Sequence, residues 1–152
     1  MDVKRLTDDL SVAGQVGPAD VPAMSRAGFR ALICNRPDGE GTDQPDFREI
    51  EVAARTAGIE VRYLPVVSGR VSNADAAAFG ALLGELPTPV LAYCRTGTRS
   101  TTLWSLHEGA RGRPEPEILA VARAAGYDMT DAIRHLASAD GPSKQGSITS
   151  TT

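Results

Sequence analysis

The stretch Cys94-Arg95-Thr96-Gly97-Thr98-Arg99-Ser100 gathers one cysteine, two arginines, two threonines, a glycine and a serine within seven residues. A hydrophobic core has no use for that combination. Just before it, Pro89-Val90-Leu91-Ala92-Tyr93 is a compact apolar run with the character of a buried strand. Just after it, Ser100 to His107 is amphipathic and reads as a helix. A strand that ends in a tight polar loop and opens a helix collects backbone N–H groups, and the positive end of the helix dipole, around whatever sits in the loop. N–H donors and nearby guanidinium groups favour thiolate over thiol, so Cys94 reads as a nucleophile inside an anion cradle.

The neighbours of Cys94 have distinct expected parts. Arg99, at the helix start, can reach back over the pocket, whereas Arg95 either binds the anion or points to solvent. Thr96 and Thr98 contribute loop amides to the cradle, and Gly97 permits the positive φ that turns those amides inward, against the plainer reading of an ordinary turn glycine. Ser100 either caps the helix or donates a hydrogen bond to the sulfur. Arg36 and Arg70 lie on two other loops and are candidates for holding an anionic substrate. Cys34 is expected in the core, with a protective disulfide to Cys94 as the other reading. His107 and His135 fall on helices without any zinc-ligand spacing to the cysteines, so neither a metal nor a cofactor is expected.

The elements that must position these residues follow from the hydrophobic pattern. Leu10–Val16, Phe29–Cys34, Ile59–Leu64 and 89–93 read as strands. Helices are predicted over 19–27, 45–57, 72–86, 99–109, 115–125 and 129–138, several of them stopped by glycine. Ser72-Asn-Ala-Asp75 has the form of a capping box. Strands alternating with helices imply an α/β fold with a mainly parallel sheet, whose ligands sit at the carboxyl ends of the strands. The loops after Cys34, Leu64 and Cys94 then share one rim.

The chain has 152 residues, 41% hydrophobic and 23% charged, which suits one domain with a real core. That domain is expected over 1–139, with a disordered Gly/Ser/Thr-rich tail over 140–152. A net charge of −3 gives no basic footprint for nucleic acid. The first residues lack an apolar segment of signal-peptide length and no window approaches a membrane span, so a cytoplasmic protein without a membrane partner is expected. Two cysteines cannot form a disulfide framework. The oligomeric state is not legible.

The loop resembles two families, the cysteine phosphatases with Cys-x5-Arg and the rhodanese-type sulfurtransferases with Cys-Arg-x-Gly-x-Arg. Over residues 5–108 the chain resembles the phosphatase-like domain of the beta-lactamase-hydrolase-like proteins. The matching stretches are Val16-Gly-Pro-Ala-Asp20, Phe29 through Asn35-Arg36-Pro37-Asp38-Gly39-Glu40, Tyr63-Leu-Pro-Val66, and Pro89 through Trp104. The resemblance implies a cysteine-phosphatase-like α/β architecture and, through fusions in related proteins to a persulfide dioxygenase, a tie to sulfide metabolism.

Two arguments then favour sulfur chemistry. Four residues separate Cys94 from Arg99, the sulfurtransferase length, and a shorter loop should suit a single sulfur atom. The loop after the third strand also offers no acid before Asp75, leaving Asp38 and Asp43 on another loop as substitutes. The expected activity is therefore a sulfurtransferase with Cys94 and Arg99 as catalytic residues. It would carry sulfane sulfur from thiosulfate or a small persulfide, through a Cys94 persulfide, to a thiol, sulfite or cyanide acceptor. A phosphatase acting through a Cys94 phosphocysteine is the alternative, and a noncatalytic thiol sensor built on Cys34 and Cys94 a second.

Overall fold

The apolar runs become five short strands, β1 (Val3–Arg5), β2 (Leu10–Ala13), β3 (Ala31–Cys34), β4 (Glu60–Tyr63) and β5 (Val90–Tyr93). They form one sheet in the order β1-β2-β5-β3-β4. Only β1 runs antiparallel to its neighbour; β2, β5, β3 and β4 are parallel. Every residue of β2, β3 and β5 is buried, as expected of parallel strands covered on both faces. Their partner at the edge, β4, alternates no further than half-buried. The computed structural model describes residues 2–134. Part of the helix expected over 129–138, His135 and the 140–152 tail lie outside the described residues.

Among the described residues the sheet is covered by α1 (Val21–Arg26), α2 (Phe47–Thr56), α3 (Asn73–Glu85), α4 (Thr98–Ala110) and α5 (Glu115–Ala124). Strand alternation divides the core in two. Ala31, Ile33, Val90 and Ala92 pack with Phe79, Leu103, Trp104 and Ile118 beneath α3, α4 and α5. Leu32, Cys34, Leu91 and Tyr93 pack with Val21, Met24 and Ile50 beneath α1 and α2. The predicted capping box is present at the start of α3: the Asp75 N–H donates to Ser72 Oγ at 3.1 Å and the Ser72 N–H to Asp75 Oδ2 at 3.0 Å.

The expected α/β sheet flanked by helices is therefore the one observed. Strand β1 and a 3-10 turn at Pro18–Asp20 were not anticipated, and the first strand ends at Ala13 rather than Val16. No helix among the described residues is long and apolar enough to cross a membrane.

The parallel register carries the site. Ala13, Cys34 and Tyr93 are paired at the carboxyl ends of β2, β3 and β5. Main-chain bonding continues one step further, with the Cys94 N–H on the Ala13 carbonyl at 3.3 Å and the Asn35 N–H on the Tyr93 carbonyl at 2.8 Å. Cys94 is thus fixed to the sheet rather than left on a free loop.

Candidate active site

The sulfur of Cys94 accepts the N–H of Gly97 at 3.1 Å. How the loop curls follows from its carbonyls. The Arg95 carbonyl accepts the Gln15 N–H at 3.2 Å, and the Thr96 carbonyl accepts the Tyr127 hydroxyl at 3.0 Å. In a planar trans peptide the C=O and the following N–H point oppositely. Fastening those two carbonyls from outside therefore turns the N–H groups of Thr96 and Gly97 toward the inside of the loop. Gly97 stands at φ +94° and is the residue that precedes α4, the left-handed conformation that glycine adopts without a Cβ penalty. A Cβ there would also lie 2.1 Å from the Tyr127 oxygen, so the plain-turn reading of Gly97 is too weak.

Arg99 lies in the first turn of α4 and is 7% exposed. Its Nη1 donates to Glu40 Oε2 at 2.7 Å and to the Val66 carbonyl at 2.9 Å, while Nη2 donates to Glu40 Oε1 at 2.9 Å. This two-pronged pairing fixes the plane of the guanidinium as well as its place. Glu40 is gripped from its other side by Arg36 Nε at 3.0 Å. The hydrogen bond from Arg99 holds the Glu40 carboxyl below the usual carboxylate range, and Arg36 adds to it. Reciprocally, Glu40 holds the Arg99 guanidinium above its ordinary value, aided by the adjacent charge of Cys94 and opposed by burial.

The remaining predicted residues separate into two groups. Arg36, expected at the substrate, is instead committed to Glu40 and, through Nη1, to Gln15 Oε1 at 2.9 Å. Ser100 meets neither expectation. Gly97, not Ser100, is the cap residue, and the Ser100 hydroxyl donates to Asn35 Oδ1 at 2.8 Å rather than to sulfur. Asn35 in turn donates to the Leu64 carbonyl at 2.9 Å, so this buried pair ties α4 to the loops that follow β3 and β4. Arg95 and Thr96 are exposed on the loop and Thr98 is exposed at the start of α4, the two threonine hydroxyls 3.0 Å apart. Arg70 is exposed on the loop after β4, its N–H closing a turn onto the Val67 carbonyl at 2.9 Å.

Both cysteines are free and buried. Cys34 donates to the Arg36 carbonyl at 3.3 Å, and burial pushes its thiol up. It is a core residue beneath α1 and α2, as the first of its two expectations has it.

Sequence reasoning missed Glu40, Asn35, Gln15 and Tyr127. Glu40 and Asn35 stand inside the stretch Asn35-Arg36-Pro37-Asp38-Gly39-Glu40 that carries the family resemblance, so the signal was present without a role attached. Gln15 and Tyr127 act through a backbone N–H and a distant hydroxyl, which no local pattern marks.

Residues 2–111 match the family described as "Beta-lactamase hydrolase-like protein, phosphatase-like domain". A beta-lactamase hydrolase-like protein of Agrobacterium fabrum (strain C58) is 36% identical over 137 residues, covering 90% of this chain and 32% of the relative. The chain therefore spans about a third of the length of the curated relatives it matches. The crystal structure of a candidate phosphatase from Neisseria meningitidis z2491 is 36% identical, with a TM-score of 0.83 over 91% of this chain and 99% of that one. The core catalytic domain of the PP-IP phosphatase SIW14 from S. cerevisiae shares the fold at 13% identity, with a TM-score of 0.63 over 92% of this chain and 93% of that chain.

These findings overturn the sulfurtransferase expectation, and with it the thiosulfate or persulfide donor and the thiol, sulfite or cyanide acceptor. The family description and the Neisseria structure, at 36% identity, both carry phosphatase names and neither names sulfur transfer; the yeast domain adds the shared fold. The argument from loop length fails for a physical reason. Arg99 belongs to the first turn of α4, and its long side chain, not the span of loop backbone, brings the cation to the site. Counting residues from Cys94 thus does not measure the cradle. By sequence match and by fold alike, the chain belongs to the phosphatase-like domain family of the beta-lactamase hydrolase-like proteins.

Proposed function

We propose that this domain is a cysteine-dependent phosphatase acting through a Cys94 phosphocysteine. The observation that carries the reading is the pairing of a sulfur met by an inward N–H with an arginine whose plane is set by a carboxylate. In the first step the Cys94 thiolate attacks phosphorus, the bond from phosphorus to the leaving oxygen breaks, and that oxygen departs with the electron pair. The equatorial oxygens of the phosphoryl group are met by the N–H groups of Thr96 and Gly97, the start of α4 and the Arg99 guanidinium, all placed before the charge develops. In the second step water attacks phosphorus, the S–P bond breaks, and its electron pair returns to Cys94. The proton of the water leaves with phosphate. Arg95 and Arg70 supply outer contacts to the anionic substrate.

Hydrolysis of a chromogenic aryl phosphate by the purified chain tests the reading. Turnover inhibited by vanadate, and lost in Cys94→Ser with the fold retained by circular dichroism, is the expected result. Absence of turnover in the wild type, or equal turnover in Cys94→Ser, would overturn it.

A further inference from the structure

We infer that this site takes phosphoryl donors whose leaving group departs unaided as an anion, aryl phosphates and phosphoanhydrides rather than alkyl phosphates. The inference rests on the phosphatase reading and concerns the fate of the leaving oxygen. Expelling an alkoxide calls for a positioned acid, which contributes about 10²–10⁴-fold. Among the described residues, the acid groups that touch Arg99 or the Cys94 loop, Glu40 and Tyr127, are already occupied.

The loop after β4 reaches the site directly, since its Val66 carbonyl accepts from Arg99. Residues 64–72 of that loop, Leu-Pro-Val-Val-Ser-Gly-Arg-Val-Ser, contain no carboxyl group, nor do Asn73 and Ala74 at the start of α3. The first one beyond it, Asp75, accepts the Ser72 N–H at 3.0 Å and closes the α3 capping box. On the loop after β3, Asp38 Oδ1 accepts the Phe47 N–H at 2.8 Å. Glu40, the carboxylate that touches Arg99, lies between two guanidinium groups and is held ionised, so it has no proton to give. The Tyr127 hydroxyl spends its proton on the Thr96 carbonyl, outside the loop, and burial raises it further out of range. What the loop after β4 offers in place of an acid is Arg70, exposed and without an ion-pair partner among the described residues. A guanidinium suits a departing anion and cannot protonate an alkoxide.

In such a reaction the leaving oxygen takes the electron pair from the broken P–O bond and departs as aryl oxide or phosphate, to be protonated later by solvent. The test is a series of phenyl phosphates substituted to span leaving groups from nitrophenol to phenol, together with inorganic pyrophosphate and glycerol 2-phosphate. The expected result is kcat/KM falling steeply as leaving-group pKa rises, because no acid contributes its share of about 10²–10⁴-fold to the poorer leaving groups. Glycerol 2-phosphate should then be inert, and the rate on pyrophosphate relative to the aryl series tells anhydride from aryl preference. A shallow dependence, or turnover of glycerol 2-phosphate within tenfold of phenyl phosphate, would overturn the inference while leaving the phosphatase reading intact. Failure to hydrolyse even nitrophenyl phosphate would sink the phosphatase reading instead. Of the other two carboxylates on the loop after β3, Asp46 forms the capping box of α2 with Glu49, and Asp43 is checked by Asp43→Asn: an unchanged slope supports the inference, and a steeper slope identifies Asp43 as an acid and refutes it.

Discussion

At the scale of single residues, Glu40 does the most work that its type does not announce. It neither attacks nor donates; it fixes the plane of the Arg99 guanidinium. Glu40→Gln should keep one side of that fork and lose the charge, lowering kcat by about 10²-fold through misplacement of the cation, with a smaller change in KM. Steady-state kinetics on an aryl phosphate check this, and Glu40→Asp should not rescue it, because a shorter arm cannot span both nitrogens. The same pairing has a pH signature. The folded-state carboxyl lies below its ordinary value of 4.5, so its stabilisation is complete above that value and is lost as pH falls through the lowered one. Thermal melts of wild type and Glu40→Gln should therefore converge as the pH drops below about 4.5. Cys94 and Arg99 were legible because cysteine and arginine around a glycine are unusual. Glu40 was not, because a glutamate on a polar loop looks like any solvated charge until its partner 59 positions away is known.

At the scale of elements, the loop between β5 and α4 is shaped as much from outside as by its own sequence. Gly97→Ala would force a side chain onto a φ of +94° and into the Tyr127 oxygen. A strained conformation of this kind costs about 1–3 kcal/mol, and the loop should relieve it by turning its amides away from the sulfur. Loss of activity out of proportion to the loss in Tm is the expected outcome, measured by kinetics and calorimetry on one preparation. Tyr127→Phe removes a single neutral hydrogen bond, worth about 1 kcal/mol, and should reduce kcat severalfold while leaving the leaving-group dependence as it is in the wild type. Strand and helix periodicity made most elements readable. Three-residue β1, with two half-buried positions and an exposed one, is too short to show a period, and it exists because β2 offers an edge to pair with.

At the scale of the whole molecule, two half-cores pack on either face of a single sheet, and the reactive rim is held at one end of it. The contact between α3 and α4 bears on stability without touching that rim. A Cβ at Gly80 would stand 2.2 Å from the His107 ring, and His107 lies about 13 Å along α4 from Thr98 at the helical rise per residue. Gly80→Ala should cost about 1–3 kcal/mol by overpacking and lower Tm with kcat/KM unchanged. Gly80→Ala combined with His107→Ala should recover part of the loss. Fold class and the shared rim of loops could be read from alternating strands and helices; the activity could not, because loop length was taken for pocket size. The Tyr127 contact also sets where this molecule can be cut. The stretch recognised as the family ends at residue 111, yet the hydroxyl that clasps the Thr96 carbonyl comes from Tyr127. A protein trimmed to the family boundary would keep every reactive side chain and forfeit the clasp. It would also lose α5 and the buried Ile118 and Ala122 from the core beneath α3 and α4, so both stability and oxyanion binding should fall, and anyone shortening this domain should leave the segment through Tyr127 in place.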